Sequence, residues 1–490
     1  MKLIQKSGPD ENHTALAAWS GSEKIAFRFA FIFIILLVVP LEWDWYERLF
    51  SSGSFYDFMA TLAGGSKSEL IKIETESGRW GLASYASWGL AALIALLGAT
   101  IWTILSGSCR LKQYGVWYYW LRVLVRYRIG IGLIAFGFIK FYPMQMPFPS
   151  VANLNTDFGD YAAFKLYWQL VGVSYRYEIF LGFLEIAAGV LFFFRATTAL
   201  GAIITAGLLF NITHANFGYD GGVHVYASYF VLLSLFLLVQ YVPDLWKLFI
   251  RGESVKSAYY YPDFSKTWLK YLYYSWKTAF IVSFVFIYGS YRYHRFYNEG
   301  RLKEPILPGL EAAAGHYTVS TFVHNGDTLR YSPRDSVRWH DVTFERYSTL
   351  AYRVNMPLPI ALSNGVPSVA DVLKEYELTG RAGGRVYLYY EINAPENELY
   401  LLDKNQRFSR ELDRQFDTDT RINLKGLYET GLRDSLNILR WHYERPTYDR
   451  IILSGLDVDK DSIVVVLDRI DELYLTGKEW YMENNLYTYP

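Results

Sequence analysis

The pattern of hydrophobic and polar positions divides the chain into an apolar part and a more polar part. Before about residue 292, long apolar stretches alternate with short polar segments. Each stretch is judged against the roughly 20 apolar residues that a membrane-spanning helix needs. The pattern predicts seven spanning helices, of which the third, fifth and seventh are short, at residues 24–42, 82–105, 128–143, 178–194, 198–213, 225–242 and 279–291.

After Arg295 the pattern changes to short runs that are rich in β-branched and aromatic residues. Turn sequences such as HNGD, SNG and RAGG separate some of these runs. The pattern predicts six to eight short strands in a mostly-β domain, either a sandwich or a small barrel. The sequence leaves the choice between these two folds open.

These transitions predict a polytopic helical membrane protein with a C-terminal β-rich domain. The predicted regions are an N-terminal tail (1–23), two helices with an outer loop and a basic linker (24–121), a four-helix core (122–250), a loop with the seventh helix (251–295) and the β-rich domain (296–490).

Lysine and arginine residues in the short loops indicate the orientation of the predicted helices. Seven helices place four basic regions on one side, including Arg122, Arg126 and Arg128 before the third helix and Lys247 after the sixth. That side is predicted to be cytoplasmic. The N-terminal tail then lies in the cytoplasm, and the β-rich domain lies in the periplasm of an inner-membrane protein.

Composition and charge narrow the class of protein. The chain of 490 residues is 52% hydrophobic and 20% charged, which is too apolar for a typical soluble protein. Its formal net charge is zero, so nucleic acid is not predicted as a partner. The single cysteine, Cys109, excludes a disulfide scaffold and a cysteine zinc site. The polar first 23 residues do not predict a cleaved signal peptide.

Lys140 and Glu185 are the ionisable residues deepest in apolar sequence. Helical rise places them at similar depth on the third and fourth helices, on faces that also carry Gly137 and Gly182. Two interpretations are open. The residues form a structural ion pair, or Lys140 acts as a base or as a cation that binds a ligand.

A polar segment interrupts the apolar sequence at residues 211–224. Two histidines and an aspartate can form an open metal site, but no recognised metal motif is present, so we expect helix capping and turn hydrogen bonds and predict no metal. The sharper alternative is a pocket for a quinone or a lipid headgroup. Its candidate rim residues are Glu178, Asn211, His214, Tyr219, Asp220 and His224.

Several motifs of the core are similar to those of a known family. They are RIGIGLIAFGFIKFYP at 128–143, RATTALGA at 195–202 and NFGYD at 216–220. With them, residues 122–250 resemble the DoxX-like family of four-helix membrane proteins. The resemblance implies a bacterial inner-membrane protein with two helices before this core, one after it and a β-rich extension. The chain departs from the family at Gly222 and His224, where relatives tend to have proline and lysine.

The sequence and the resemblance support three functional hypotheses. The first is an anchor or accessory subunit of a larger envelope complex that has no autonomous enzyme activity. The second is a quinone- or lipid-binding subunit associated with a membrane oxidoreductase, with its site near Lys140 and Glu185. A proton-coupled transporter ranks lowest, since no inverted repeat is visible. The expected partners are the lipid bilayer and other membrane or periplasmic proteins, and no cofactor is predicted beyond a possible quinone or lipid.

Overall fold

The chain divides into two compact units. The helical unit comprises Met1–Phe138 and Gly182–Tyr291, and the barrel unit comprises Ile139–Leu181 and Arg292–Pro490. Residues 139–181 lie within the predicted four-helix core (122–250), but they belong to the unit that contains the strands. The computed structural model describes residues 19–64, 70–71, 82–106, 114–255, 266–365, 367–406, 409–471 and 474.

Helices coincide with all seven predicted spanning segments over most of their length. A π-helical segment, Val282–Ile287, joins the last two helices of this part of the chain. The helices are α1 (Gly21–Val38), α2 (Trp43–Phe50), α3 (Phe55–Gly64), α4 (Ala86–Leu105), α5 (Tyr114–Phe141), α6 (Val151–Leu154), α7 (Ala163–Gly172), α8 (Tyr175–Leu191), α9 (Thr198–Gly218), α10 (His224–Leu238), α11 (Val242–Ile250), α12 (Thr267–Ile281) and α13 (Tyr288–Tyr297).

Fewer helices than seven are long and apolar enough to cross a membrane. Within the described residues these are Ala86–Leu105, Arg195–Gly218 and His224–Ile250, and the pair α1 and α2, bent by 55°, can supply a fourth. The predicted count of seven spans is therefore not confirmed. The other helices fall short because α8 has only 17 residues and because α5 carries several buried basic side chains.

The buried arginines of α5 bind the ends of neighbouring helices. Arg126 donates two hydrogen bonds to the carbonyl oxygen of Phe192 (3.0 and 2.7 Å), and Arg122 donates to that of Leu237 (2.7 Å). Arg128 donates to the last turn of α3. These contacts join α5 to three other helical segments of the chain. The sequence pattern predicts a cytoplasmic loop for the three arginines, but they lie within α5 and are buried, so they do not indicate the orientation of the helices.

Glycines bring α5 and α8 close together, as the sequence predicted. A Cβ atom at Gly137 would lie 2.8 Å from the carbonyl oxygen of Gly182, and a Cβ at Gly189 would lie 2.8 Å from that of Gly130. The two helices therefore run antiparallel with their backbones in contact. Continued along both helices, this register brings Lys140 level with Glu178.

The strands of the barrel unit form a closed barrel. The strands are β1 (Gly315–His324), β2 (Asp327–Thr328), β3 (Asp341–Phe344), β4 (Thr349–Arg353), β5 (Arg385–Asn393), β6 (Glu398–Asp403), β7 (Leu439–Thr447), β8 (Arg450–Leu456) and β9 (Ser462–Ile470). Neighbouring strands are antiparallel in the order β2-β1-β3-β4-β5-β6-β7-β8-β9, and β1 also pairs with β9. This closure favours the predicted barrel over the predicted sandwich and gives an eight-stranded barrel, with β2 as a short extra strand.

Apolar side chains fill the interior of the barrel. Along β5, Val386, Leu388 and Tyr390 point inward, as the two-residue period of a strand requires. They pack with Trp339 and Trp441 among others in one buried cluster. An eight-stranded barrel is just wide enough for side chains to fill it, so the interior is a packed core.

The outer face of the barrel is also buried along β4, β5 and β6. Three short helices, α14 (Arg410–Phe416), α15 (Leu424–Leu427) and α16 (Arg433–Leu436), pack on one part of it around Tyr389 and Tyr400. Residues 139–181 cover another part, where Ala152 packs against Tyr387.

Candidate functional site in the barrel unit

The polar segment 211–224 forms the end of one helix and a tight turn. The helix α9 continues to Gly218, so His214 lies on the helix, where it is exposed and its Nδ1 lies 3.1 Å from the carbonyl oxygen of Phe210. The ring of His224 is buried, and its Nε2 pairs with Ser84 Oγ at 2.8 Å. Asn211 and Tyr219 are exposed.

The turn itself is held by Asn216. Its Nδ2 donates to the carbonyl oxygen of Ile212 (2.8 Å), and its Oδ1 accepts from the backbone of Val223 (3.3 Å). Asp220 adopts a left-handed conformation with φ of 51°, which suits a turn aspartate. The segment is therefore a turn between two helices that the side chain of Asn216 stabilises.

Lys140 and Glu178 lie together at the start of the barrel unit. Lys140 is in the last turn of α5 and is 6% exposed, and Glu178 is in the first turn of α8 and is fully buried. The charge of Lys140 acts on the Glu178 carboxylate. Glu185 is also buried but belongs to the helical unit, so its pairing with Lys140 stays a prediction.

Glu178 is held by the backbone of the segment that follows α5. Its Oε1 accepts hydrogen bonds from the backbone N–H groups of Gln145 (3.1 Å) and Met146 (3.2 Å). Its Oε2 is buried and has no hydrogen-bond partner among the described residues. An acidic side chain in the first turn also interacts favourably with the helix dipole.

Gly172 makes this arrangement possible. A Cβ atom there would lie 2.5 Å from the carbonyl oxygen of Pro147 and 2.7 Å from that of Met146. Only glycine allows the end of α7 to approach the 145–147 backbone this closely.

Lys303 supplies a second buried amine close to Glu178. Its Nζ donates to the carbonyl oxygen of Asn364 (2.6 Å) and lies 4.7 Å from the ring centre of Trp168. Burial lowers the pKa of Lys303 to about 8, although the nearby Glu178 carboxylate acts in the opposite direction. Part of the Lys303 population is therefore uncharged at mildly alkaline pH.

Lys165, on α7, is the most deeply buried lysine of this group. Its Nζ donates to the carbonyl oxygen of Tyr376 and lies 3.6 Å from the centre of that ring. Burial holds the pKa of Lys165 well below the usual value, the charge of Glu377 opposes this shift, and the charges of Arg381 and Lys303 add to it. No carboxylate of the described residues lies within ion-pair distance of its amine.

We call Lys140, Lys165, Lys303, Glu178 and Tyr376 the lysine cluster. The hydroxyl of Tyr376 is buried without a hydrogen-bond partner in the described part of the chain, and burial raises its pKa far above the usual value. An uncharged amine accepts protons, so the cluster contains potential bases. Each of its side chains is at most 7% exposed, however, so the cluster is closed to a substrate in this conformation.

Further buried charged residues bind residues 139–181 and the loop that contains Glu377 to the strands of the barrel. Glu345 accepts hydrogen bonds from the backbone N–H groups of Val151 (2.9 Å) and Ala152 (2.8 Å) at the start of α6. Burial raises the pKa of Glu345 to about 7. Lys404 pairs with Glu377 at 2.5 Å. These contacts are structural.

A cleft of about 670 Å³ opens at one end of β4. Its walls include Tyr331, His340 and Arg353, and the turn Gly383–Gly384 forms another side together with Asp160. Burial and the charge of Arg353 lower the pKa of His340, so its imidazole is neutral at pH 7. The cleft lies within the barrel unit and offers both polar and apolar groups.

One group of side chains in the described structure could hold a metal ion. The ligand atoms of His324, Asp457 and Asp461 lie within 4.8 Å of one another. Their contacts already account for this arrangement, because His324 lies 3.3 Å from Asp461 and because Asp457 accepts backbone hydrogen bonds from the turn before β9. All three side chains are partly exposed, so this group is a weak candidate.

Sequence reasoning found Lys140 and Glu178 but missed Lys165, Lys303 and Tyr376. Lys165 lies in AFKLYWQ and Lys303 in RLKEP, which read as ordinary amphipathic and loop sequence. Their burial depends on contacts between positions more than 100 residues apart, such as that of Lys165 with Tyr376. For Lys165, the apolar sequence neighbours Phe164 and Trp168 are the local signal of burial.

Comparisons with known proteins give little further information. No family model matches the chain. No solved structure matches it. A stretch of 75 residues is 39% identical to "Uncharacterized protein YwoB" of Bacillus subtilis (strain 168), which is 15% of this chain and 49% of that protein. The chain thus spans about half the length of this relative, and the relative's name assigns it no activity.

Proposed function

We propose that the protein is a multi-pass inner-membrane protein of the DoxX-like type that anchors a β-barrel unit in the periplasm. In this role it is an accessory subunit of a larger envelope complex. The proposal rests on which segments form the barrel unit. This unit contains the strands and also residues 139–181, most of which lie between α5 and α8 in the sequence. The barrel is thus joined to the helical unit at more than one point of the chain.

The two segments of the barrel unit also limit the membrane topology. Residues 139–181 and 292–490 form one compact unit, so they lie on the same side of any membrane that the chain crosses. An even number of crossings must then separate them. The proposed seven-helix topology supplies four crossings, by α8, α9, α10 and the α12–α13 pair, whereas the two long apolar spans Arg195–Gly218 and His224–Ile250 alone supply two, which is also an even number.

The packed interior of the barrel favours a role in protein interaction. Apolar side chains fill the space that a ligand would need inside the barrel. The barrel therefore acts through its outer surface, which suits a subunit that contacts other proteins.

Cysteine labelling tests the topology. In a Cys109→Ser background, single cysteines replace Thr328, an exposed residue of the barrel unit, or Lys247, an exposed residue after α10. A membrane-impermeant maleimide applied to spheroplasts should label Thr328→Cys, and it should label Lys247→Cys only after permeabilisation. The reverse pattern would refute the proposed orientation.

Native electrophoresis tests the role as a subunit. Gentle extraction should recover the protein in an assembly that contains at least one other envelope polypeptide in fixed ratio, identified by mass spectrometry. Recovery of this chain alone, as a monomer or as a homo-oligomer, would count against an accessory role.

A second candidate function is the binding of a quinone or a lipid near Lys140 and Glu185. Lys140 and Glu185 are each buried within their own unit, which favours it, since a buried ionisable residue in an apolar helix is by default a candidate functional residue. Native mass spectrometry of the gently purified protein should then detect a bound quinone or lipid, and Lys140→Met should reduce its occupancy. An empty wild-type protein would exclude this function.

A further inference from the structure

We propose that the cleft at the end of β4 binds a neutral, hydroxyl-rich small molecule of the saccharide class. The proposal goes beyond the function proposed above and does not depend on the orientation of the protein. The volume of the cleft, about 670 Å³, lies in the range of small-molecule sites.

A hydroxyl group suits the polar wall of the cleft that His340 helps to form. The Nε2 atom of His340 has no hydrogen-bond partner among the described residues, which is unfavourable, but it is closed to solvent, so a ligand pairs with it only after a side chain of the cleft wall turns aside. A neutral imidazole nitrogen either accepts or donates, depending on its tautomer. A hydroxyl can act in both ways, so it pairs with His340 in either tautomer.

The charges around the cleft disfavour an ionic ligand. The guanidinium of Arg353 lies 3.6 Å from Asp157 and 2.6 Å from Asp341, a carboxylate that it shares with Arg385 (2.7 Å), so opposite charges already lie beside it. Asp160 adds a further carboxylate to the cleft, next to Gly383. An anion would meet these carboxylates, and a cation would meet Arg353. A neutral molecule avoids both costs and can still bond to the charged groups through its hydroxyls.

The apolar part of the cleft fits the C–H face of a sugar ring. Tyr331 is 63% exposed, and its ring is held by the guanidinium of Arg338, 5.4 Å from the ring centre. Met356, Leu358 and Ile360 line the same cleft. A rigid aromatic ring provides a large contact area at low entropic cost.

A glycan array tests the proposal with the full-length protein in lipid nanodiscs. The array carries neutral and anionic oligosaccharides at matched density. Wild-type protein should bind one or more neutral oligosaccharides, and the apparent affinity should be at least tenfold weaker in Tyr331→Ala and in His340→Leu. Tyr448→Ala is the matched control, because Tyr448 is also 63% exposed and also contacts an arginine, Arg469, but lies away from the cleft.

Each result of this experiment has a defined meaning. Binding to neutral oligosaccharides that is lost in Tyr331→Ala and kept in Tyr448→Ala supports the site. Binding only to anionic oligosaccharides would overturn the ligand class. An absence of binding by the wild type, or binding that both tyrosine variants retain equally, would overturn the site. Circular dichroism of each variant shows that the fold is intact.

Discussion

Four of the five buried lysines that the structure describes in the barrel unit differ in how their charge is balanced. Lys374 lies 2.8 Å from Asp371 and Lys404 lies 2.5 Å from Glu377, so each has an opposite charge beside it. Lys165 and Lys303 instead donate to backbone carbonyls, and no described carboxylate lies within ion-pair distance of either amine. A buried ammonium without an adjacent anion is costly, and lowering its pKa reduces that cost.

This difference predicts how stability depends on pH through Lys303. Its pKa is about 8 in the folded protein and near 10.5 when unfolded, so the unfolded state binds more protons between these values. Stability therefore rises with pH across that window, by up to about 3 kcal/mol from this residue. Lys303→Met removes this contribution, so the melting temperature of the variant relative to wild type should fall as pH rises from 8 to 10.5.

Lys425→Met is the control for this measurement, because the side chain of Lys425 is 41% exposed and its amine lies at the surface, 3.9 Å from Glu396. Its melting temperature relative to wild type should be the same at pH 8 and at pH 10.5. If Lys303→Met shows the same flat behaviour, Lys303 is solvated and its proposed burial is wrong.

At the level of secondary-structure elements, the spacing of apolar and small residues along the sequence predicted the helices, the strands and the contact between α5 and α8. The glycines of that contact carried a direct signal, since small residues at helical spacing indicate close packing. The role of the α5 arginines was not predictable, because an arginine in a cytoplasmic loop and one that binds the end of a neighbouring helix have the same local sequence. The hydrogen bond from Arg126 to Phe192 joins positions 66 residues apart.

The turn before β5 gives a prediction at this scale. Gly384 has φ of 65°, and a Cβ atom there would overlap the carbonyl oxygen of Val354. Gly384→Ala should therefore destabilise the barrel unit by several kcal/mol and should also weaken any binding in the cleft that this turn lines, because a left-handed conformation and a steric clash add together. Thermal unfolding measures the first effect.

Gly326 provides the matched control for this substitution. It also has a positive φ, 87°, but a Cβ atom added there would meet no other atom within 4 Å. Gly326→Ala should cost only about 1–2 kcal/mol, the penalty of the left-handed conformation itself. Equal losses in the two variants would show that the 384 turn relaxes without a clash.

For the whole molecule, the sequence predicted a helical part followed by a β-rich part, and both are present. It did not predict which segments share a compact unit. Residues 139–181 have the composition of an interhelical loop, and their contacts with the strands join distant positions, such as Glu345 with Val151 and Ala152. The sequence also could not distinguish a barrel from a sandwich, because closure of the barrel depends on pairing between the distant strands β1 and β9, as at Tyr317 and Arg469.

The composition of the barrel unit predicts that the β-rich region 296–490 is not an independent domain. Without residues 139–181, the carboxylate of Glu345 loses two backbone donors, and Tyr387 loses its contact with Ala152. Removing partners from buried polar groups is costly, and the exposed apolar face promotes aggregation. The fragment 296–490 alone should therefore be poorly soluble and should lack a cooperative thermal transition.

A second fragment separates this cause from a general failure to fold. Residues 139–181 joined to the amino end of 296–490 through a flexible Gly/Ser linker restore the missing contacts, because all of them lie within one compact unit. This fusion should show near-UV circular dichroism and a single cooperative transition. If 296–490 alone melts cooperatively at the same temperature as the fusion, the 139–181 segment is an accessory covering, and the boundary that the sequence suggested would be correct after all.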